Sequence, residues 1–530
     1  MTEQGRKRTS LTSQSAWILG AKFIGFVVNT LLPLLVVRYL SVENVGVYRQ
    51  SFIVAADAVL VLPLGLSMSA YYFLNRDPEK QPAAILNIVG FNFLMGAAAF
   101  LLLFFYPQVL GKVFQSPELE RLAPVIGAVI WLWLLAGFLE TVALAVQEAR
   151  LAAGFIVLFN TLKATFMVGA VVVYGTVDSL LYAALAMFGA QTIVMIGFLH
   201  KRFPTFWTAI DPPFFRKQVT YALPFGLSVL LYVGQTDVHN YFVSHSFSAA
   251  EFAIYSVGCF QLPLIAMLYE SVGAVMIPRM SQLQDENRNR EILLLAAAAT
   301  QKLAFFYFPF FAFFMIVADE LITTLFTNQY AASANIFRIN LFVLPLYCLV
   351  VDPITRAFIY AGRFLLKVRI VICVVLFTVF WLGIGRFGLI QMISIVVIAI
   401  FLEKLMAVWI SARMLEARFR DISLFNNVGK LAIAATIGAA GLLAFYLTLG
   451  PKVLETTVGY SRQFISSFDV SKGHDLLGGT VFLGVCFGIY IFVYLAAAAA
   501  LEAIDPDDKE RFLTMLRRVA IWRKVEEKAA

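Results

Sequence analysis

Residues 83–106 read AAILNIVGFNFLMGAAAFLLLFFY, twenty-four consecutive positions without a charge. As a helix rising 1.5 Å per residue, such a stretch exceeds the roughly 30 Å hydrocarbon core of a bilayer. Segments of this kind recur near 17–40, 50–74, 83–106, 122–146, 153–173, 178–199, 218–243, 250–276, 293–317, 335–359, 367–385, 388–412, 429–449 and 476–501. Composition agrees: 61% of the 530 residues are hydrophobic and 14% charged, against about 45–50% and about 25% in soluble domains. The fifty phenylalanines exclude a disordered chain. The sequence therefore predicts an all-α polytopic membrane protein with about fourteen transmembrane helices. The first segment is too long for a cleaved signal peptide and lacks a small-residue cleavage site, so it reads as a span.

The net charge of +8 reports orientation rather than a nucleic-acid partner. With fourteen spans, one side collects Arg6, Lys7, Arg8, Arg76, Lys80, Lys201, Arg202, Arg216, Lys217, Arg288, Arg290, Arg363, Lys367, Arg413 and Arg418, among others. The opposite side holds only Arg38, Arg49, Lys112, Arg121, Arg338, Arg386, Lys452, Arg462 and Lys472. By the positive-inside rule both termini are expected in the cytoplasm. Cys259, Cys348, Cys373 and Cys486 all lie in apolar segments, with no CxxC and no cluster with the four histidines, so no disulfide and no metal site are expected. From Asp505 to Lys528, Phe512, Leu516, Val519 and Trp522 fall roughly on one helical face beside basic residues. That pattern suits an interfacial cytoplasmic helix.

The chain also echoes itself. Leu40–Tyr48 (LSVENVGVY) follows span 1 and Phe247–Tyr255 (FSAAEFAIY) follows span 7, each with a serine cap, an acidic or amide first turn and a closing tyrosine. Gln147–Arg150 and Tyr360–Arg363 follow spans 4 and 10 at a similar offset. Six spans per repeat give both halves the same orientation, as in parallel-repeat transporters. The expected organisation is an N-terminal lobe (1–199), a cytoplasmic linker (200–217), a pseudo-symmetric C-terminal six-helix lobe (218–413), two extra helices (429–501) and a cytoplasmic amphipathic tail (502–530).

At these two motifs the chain resembles the polysaccharide flippases (Wzx-type, O-antigen and teichoic-acid export proteins) of the multidrug/oligosaccharidyl-lipid/polysaccharide superfamily. The "Leu-Pro" of Tyr221–Phe225 and the following Asp237 belong to the same resemblance, although Val238 stands where the family usually has Arg. The resemblance implies two six-helix lobes opening alternately to either side of the membrane. It also implies an undecaprenyl-diphosphate-linked oligosaccharide carried from the inner to the outer leaflet of a bacterial cytoplasmic membrane. Lipid II flippases are similar, with cavity arginines from early helices; Lys22 and Arg49 are the nearest equivalents here.

Ionisable residues at membrane depth cost roughly 2.5–3.5 kcal/mol each on insertion scales and mark function by default. They are Lys22, Asp57, Glu140, Lys163, Asp237, His239, Glu270, Lys302, Asp352, Arg356, Glu403 and Lys404. So many imply a hydrated interior. Lys22, Arg49, Lys163 and Arg356 are the candidate cations for a diphosphate. Asp237, His239, Asp57, Glu140 and Asp352 are the candidate ion-coupling groups for a transported Na⁺ or H⁺, and no cofactor is expected. The ordinary readings are that Lys163 pairs with Glu140, that Asp352 pairs with Arg356 at i, i+4, and that Glu403 and Lys404 snorkel. Asp237 and His239, two apart, belong on different faces.

Two rival functions share this composition. A MATE-like cation-coupled drug or metabolite antiporter would use the same halves, usually with twelve spans and acidic cavity groups. A membrane glycan polymerase or ligase needs catalytic groups on a large outer loop. The longest such loop, about 450–475, shows no constellation, and no phosphate-binding Gly-rich loop exists, so the expectation is a transporter and not an enzyme. Partners expected are the lipid-linked substrate, membrane lipids and a glycan polymerase or glycosyltransferase complex.

Overall fold

Hydrocarbon offers no partner for a free backbone amide, so a chain crossing it must bond its own backbone. In the computed structural model, which describes residues 11–260, 263–466 and 474–503, it does so with helices alone; among the described residues there is no strand. Contacts divide the chain into two compact units, Met1–Phe260 with Arg369–Met392, and Gln261–Val368 with Ile393–Ala530. This division follows contacts, whereas the boundaries at 199 and 218 follow a repeat.

The first unit holds α1 (Leu11–Tyr39), α2 (Val42–Val61), α3 (Ala70–Arg76), α4 (Gln81–Phe105), α5 (Gln108–Phe114) and α6 (Pro117–Ala136). It continues through α7 (Phe138–Ala145), α8 (Ala149–Tyr174), α9 (Val177–Arg202), α10 (Pro212–Thr236), α11 (Val238–Ser246) and α12 (Ala249–Gly258). The second holds α13 (Pro263–Asp285), α14 (Asn289–Ile316), α15 (Ala318–Phe326), α16 (Ser333–Leu341) and α17 (Asp352–Ala357). Helices α18 (Ile359–Leu382) and α19 (Leu389–Met414) contribute residues to both units. The second unit then closes with α20 (Asn426–Thr448), α21 (Gly450–Ser466) and α22 (His474–Ala500).

Among the described residues, eleven helices are long and apolar enough to cross a bilayer, or twelve when one bent pair is counted as a single span. The protein is multi-pass, but fourteen uninterrupted crossings are not what the described residues form. The expected span 50–74 bends by 45°, because Pro63 lies in the connection where Leu64 and Gly65 both take positive φ, 47° and 77°. The break is shaped by a neighbour. A Cβ on Gly65 would lie 2.6 Å from the Ala222 carbonyl oxygen and 2.7 Å from the Gly226 nitrogen, and one on Gly226 would strike the Leu64 backbone. Leu62-Pro63-Leu64-Gly65 thus meets Leu223-Pro224-Phe225-Gly226 of α10, backbone to backbone. The expected spans 250–276 and 335–359 are likewise divided, into α12 with α13 and α16 with α17.

The duplicated motif starts two helices with the same chemistry. The Ser41 hydroxyl accepts from the Asn44 N–H at 3.2 Å. Ser248 and Glu251 form a capping box, which satisfies two orphan donors reciprocally. These two helices, α2 and α12, also pack against each other. A Cβ on Gly46 would collide with the backbone carbonyl of Ala249, so glycine is what permits the crossing. Tyr48 and Tyr255, the closing residues of the two motifs, are both buried there.

The linker is anchored rather than loose. Phe206 and Phe214 join a core with Phe73 and Phe138. Asp211 caps α10 by accepting from the Phe214 N–H at 3.0 Å, and Lys80 donates to it at 2.6 Å. Lys80, with the Phe214 N–H second, holds the Asp211 carboxyl below the usual carboxylate range.

The expected outer loop 450–475 is a helix over most of its length. α21 turns Val453, Leu454, Val458 and Ser461 inward and leaves Lys452, Glu455 and Tyr460 exposed, the amphipathic pattern that holds a helix on a surface. It packs closely on α22, where a Cβ on Gly478 would lie 2.7 Å from the Val458 Cα. The predicted tail helix at 505–528 lies outside the described residues.

Overpacking typically costs about 1–3 kcal/mol. Gly46→Ala should therefore lower the unfolding temperature of the detergent-solubilised protein, whereas Gly90→Ala, whose added Cβ meets nothing within 4 Å, should be neutral or slightly stabilising. Equal behaviour of the two variants would mean that the α2–α12 crossing has room to spare.

Candidate functional site

The first unit encloses a polar cavity of about 160 Å³ lined by Asn29, Trp133, Glu140, Asn160, Lys163 and Gln191, with apolar walls from Phe155, Phe159 and Phe188. Its chemistry comes from the α1–α8 contact. Lys163 Nζ donates to Asn29 Oδ1 at 2.8 Å. Asn29 Nδ2 in turn donates to Asn160 Oδ1 at 3.0 Å and to the Gly25 carbonyl at 2.8 Å. Asn160 donates back to the Ile156 carbonyl at 2.8 Å. Gly25 leaves room for this chain of bonds, since a Cβ there would lie 3.0 Å from Asn160 Nδ2. Opposite, Gln191 donates to the Ala136 carbonyl at 3.2 Å, and Trp133 stacks on Phe188 at 4.8 Å.

Lys163 and Glu140 line this cavity together, but no ion pair joins them. The expected pairing is replaced by the amide of Asn29, which sits one helix away and satisfies the ammonium without neutralising it. A polar space of this size holds several waters or one phosphate-sized group. A groove of about 760 Å³ between α8 and α9 is lined mainly by apolar and small residues and carries none of the predicted site residues.

A second cluster joins α2 to the α10–α11 break. The Tyr241 hydroxyl donates to Asp57 Oδ2 at 2.8 Å. Asp237, at the break itself, accepts from the Thr236 hydroxyl at 2.7 Å and from Asn240 Nδ2 at 3.3 Å. Tyr241 lies in electrostatic range of both carboxyl groups, and Asp57 is buried. His239 points elsewhere, as the spacing implied: its Nδ1 is 2.8 Å from the Tyr255 hydroxyl, inside the α11–α12 packing. This histidine ties the second motif copy to α11.

Neither Lys22 nor Arg49 is among the residues that line the Lys163 cavity. Lys22 is exposed on α1. Arg49 is half-buried on α2, in electrostatic range of Cys259. Arg356 is exposed and belongs to the second unit. There Asp352 accepts from the Tyr269 hydroxyl and lies 3.7 Å from Lys404 Nζ. The expected Asp352–Arg356 pair is therefore corrected. Lys404 projects from α19 onto Asp352, and Arg356 turns outward. Nor does this lysine snorkel, since its side chain is 15% exposed; Glu403 is buried beside it in sequence.

Asn29, Gln191, Tyr241 and Tyr269 escaped the sequence reading because neutral polar residues are cheap in a membrane helix and do not stand out as charges do. Asn29 carried a faint signal in the pattern Gly25-x-x-x-Asn29, a small residue one turn before an amide.

Tyr241→Phe leaves the buried Asp57 without its donor and should cost about 1–3 kcal/mol, read as a lower unfolding temperature. In an Asp57→Asn background the same change should cost clearly less. Additive effects would show that the hydrogen bond carries no energy.

Solved structures share this fold. The lipid II flippase MurJ in its inward closed conformation aligns with a TM-score of 0.62 at 15% identity, covering 91% of this chain and 98% of that one. An inward-facing multidrug resistance MATE family transporter of the MOP superfamily aligns at 0.58 and 17%, covering 74% and 94%. A MOP superfamily transporter from Pyrococcus furiosus aligns at 0.53 and 15%, covering 80% and 99%. No curated protein sequence matches. The polysaccharide biosynthesis protein family model matches residues 67–335, just over half of the chain, and the chain belongs to that family.

Proposed function

We propose that this protein is a flippase, moving a polyprenyl-diphosphate-linked oligosaccharide from the inner to the outer leaflet for the synthesis of a surface polysaccharide. The observation that carries the reading is the Lys163–Asn29–Asn160 array inside a membrane-spanning bundle. An unneutralised ammonium attracts an anionic diphosphate, and side-chain amides both donate to and accept from sugar hydroxyls. Family membership supports a polysaccharide role, and the fold is one that a lipid II flippase and a MATE family transporter also have.

In this reading the protein sits in a bacterial cytoplasmic membrane with both termini in the cytoplasm. The two six-helix repeats, 1–199 and 218–413, alternate in access. Lys163 receives the phosphate charge, and Lys22, Arg49 and Arg356 are further candidate cations for it. Asp57, held by the Tyr241 hydroxyl, and Asp237 take up the coupling Na⁺ or H⁺, with Glu140 a further proton acceptor in the Lys163 cavity. Each charge moved across the membrane potential supplies about 2.3 kcal/mol per 100 mV. A glycan polymerase or glycosyltransferase complex would hand over or receive the substrate.

The Asp57–Asp237 pair also suits an organic cation, which is the antiporter reading. Deleting the gene separates the two. A flippase predicts loss of a surface polymer and accumulation of its lipid-linked precursor, whereas an antiporter predicts drug sensitivity with polymer intact. Complementation with Lys163→Met should restore at most about one tenth of wild-type polymer, in line with losing a charge-assisted contact worth roughly 1.5–3 kcal/mol. Lys163→Arg should restore most of it. Full complementation by Lys163→Met, at equal protein level, would remove Lys163 from the substrate path.

A further inference from the structure

In the second unit, the Asp352 carboxylate, the Tyr269 hydroxyl and the Lys404 ammonium form a small charged cluster where α13, α17 and α19 meet, with Glu270 and Glu403 their neighbours in sequence. Tyr269 on α13 donates to Asp352 Oδ2. Lys404 on α19 approaches the same oxygen at 3.7 Å and lies 5.6 Å from the Tyr269 ring centroid, over its face. The cluster is positioned by packing. Val351, just before Asp352, shares a buried core with Ala407 and Ile410 of α19 and with Ala361 and Leu365 of α18. Ala407, one turn beyond Lys404, is small enough to let α19 close on Val351. The lysine therefore reaches Asp352 with its side chain only 15% exposed, while the Asp352 side chain is 32% exposed.

We infer that Lys404 is a resident counter-cation: its ammonium fills the place at Asp352 and Tyr269 that a free monovalent cation would take, so this carboxylate binds no sodium while Lys404 is present. A carboxylate partly withdrawn from water is stabilised by pairing, protonation or a bound cation. An ammonium and a sodium ion carry the same charge and compete for the same oxygen. The ring face of Tyr269 adds cation–π attraction for whichever cation is there, and its hydroxyl orients the carboxylate. Arg356, the other cation on the short α17, is exposed and is no substitute. Asp352 is thus compensated internally, whereas Asp57 is held by a neutral tyrosine. Lys404 is the residue that decides cation specificity in the second unit.

The inference stands apart from the flippase reading because it is tested by ion-linked stability of the whole purified protein, not by transport. Unfolding temperature in detergent is measured in sodium against choline at equal ionic strength, and at pH 6 against pH 8.5. Wild type and Asp352→Asn should show the same sodium response. Lys404→Met should gain stabilisation by sodium or by acid, a shift on the order of 3 °C or more, and Asp352→Asn/Lys404→Met should lose that gain. If Lys404→Met does not fold, recovery of folding in the double variant supports the same conclusion, because it removes the uncompensated carboxylate. Three results overturn it: a sodium response of wild type that Asp352→Asn abolishes, a folded Lys404→Met that answers to neither sodium nor pH, or a double variant that folds no better than Lys404→Met alone.

Discussion

Everything in this molecule depends on the absence of water as a hydrogen-bond partner inside the bilayer. Backbone groups answer that constraint with helices. Side chains answer it by reaching a neighbouring helix, and each such reach joins two elements that apolar packing alone would leave free to slide. Lys163 finds Asn29 and thereby registers α8 on α1. Asp57 finds Tyr241 and registers α2 on α11. Asp352 finds Tyr269 and Lys404 and registers α17 between α13 and α19. Polar groups that look like a burden on insertion are what make the packing specific.

Close backbone approach is the second device, and it works where side chains are missing. Between membrane helices, tails of lipid are as apolar as leucine, so association depends on contact rather than on water release. Gly46 lets α2 lie on α12, and Gly65 with Gly226 lets the break after α2 lie on α10. The same break interrupts a helix that would otherwise run straight, so one pair of Leu-Pro-x-Gly segments both bends a span and fixes where it bends.

Much of the site was legible as individual residues and little of it as an arrangement. Asp57, Glu140, Lys163, Asp237, His239 and Asp352 stand out because a charge in an apolar run is conspicuous. Their partners do not, because Asn29, Tyr241 and Tyr269 are ordinary membrane-helix residues and lie far away in the chain. Sequence proximity even misled: Asp352 and Arg356 are spaced to pair, yet Lys404 of α19 lies beside the carboxylate, with Ala407 of the same helix in the buried core that holds Val351. The motif copies were read correctly as helix starts, since a serine cap is a local property, but their mutual packing was not visible.

By itself the sequence determined the class of protein, the approximate place of each membrane helix and the helix caps, because hydropathy and capping are summed over neighbours in the chain. Tertiary structure alone decided where several of those helices break, which charges meet and which stay exposed. Those outcomes depend on contacts such as Gly65 with Gly226 and Lys163 with Asn29, between residues more than a hundred positions apart, and no local pattern encodes a distance of that kind.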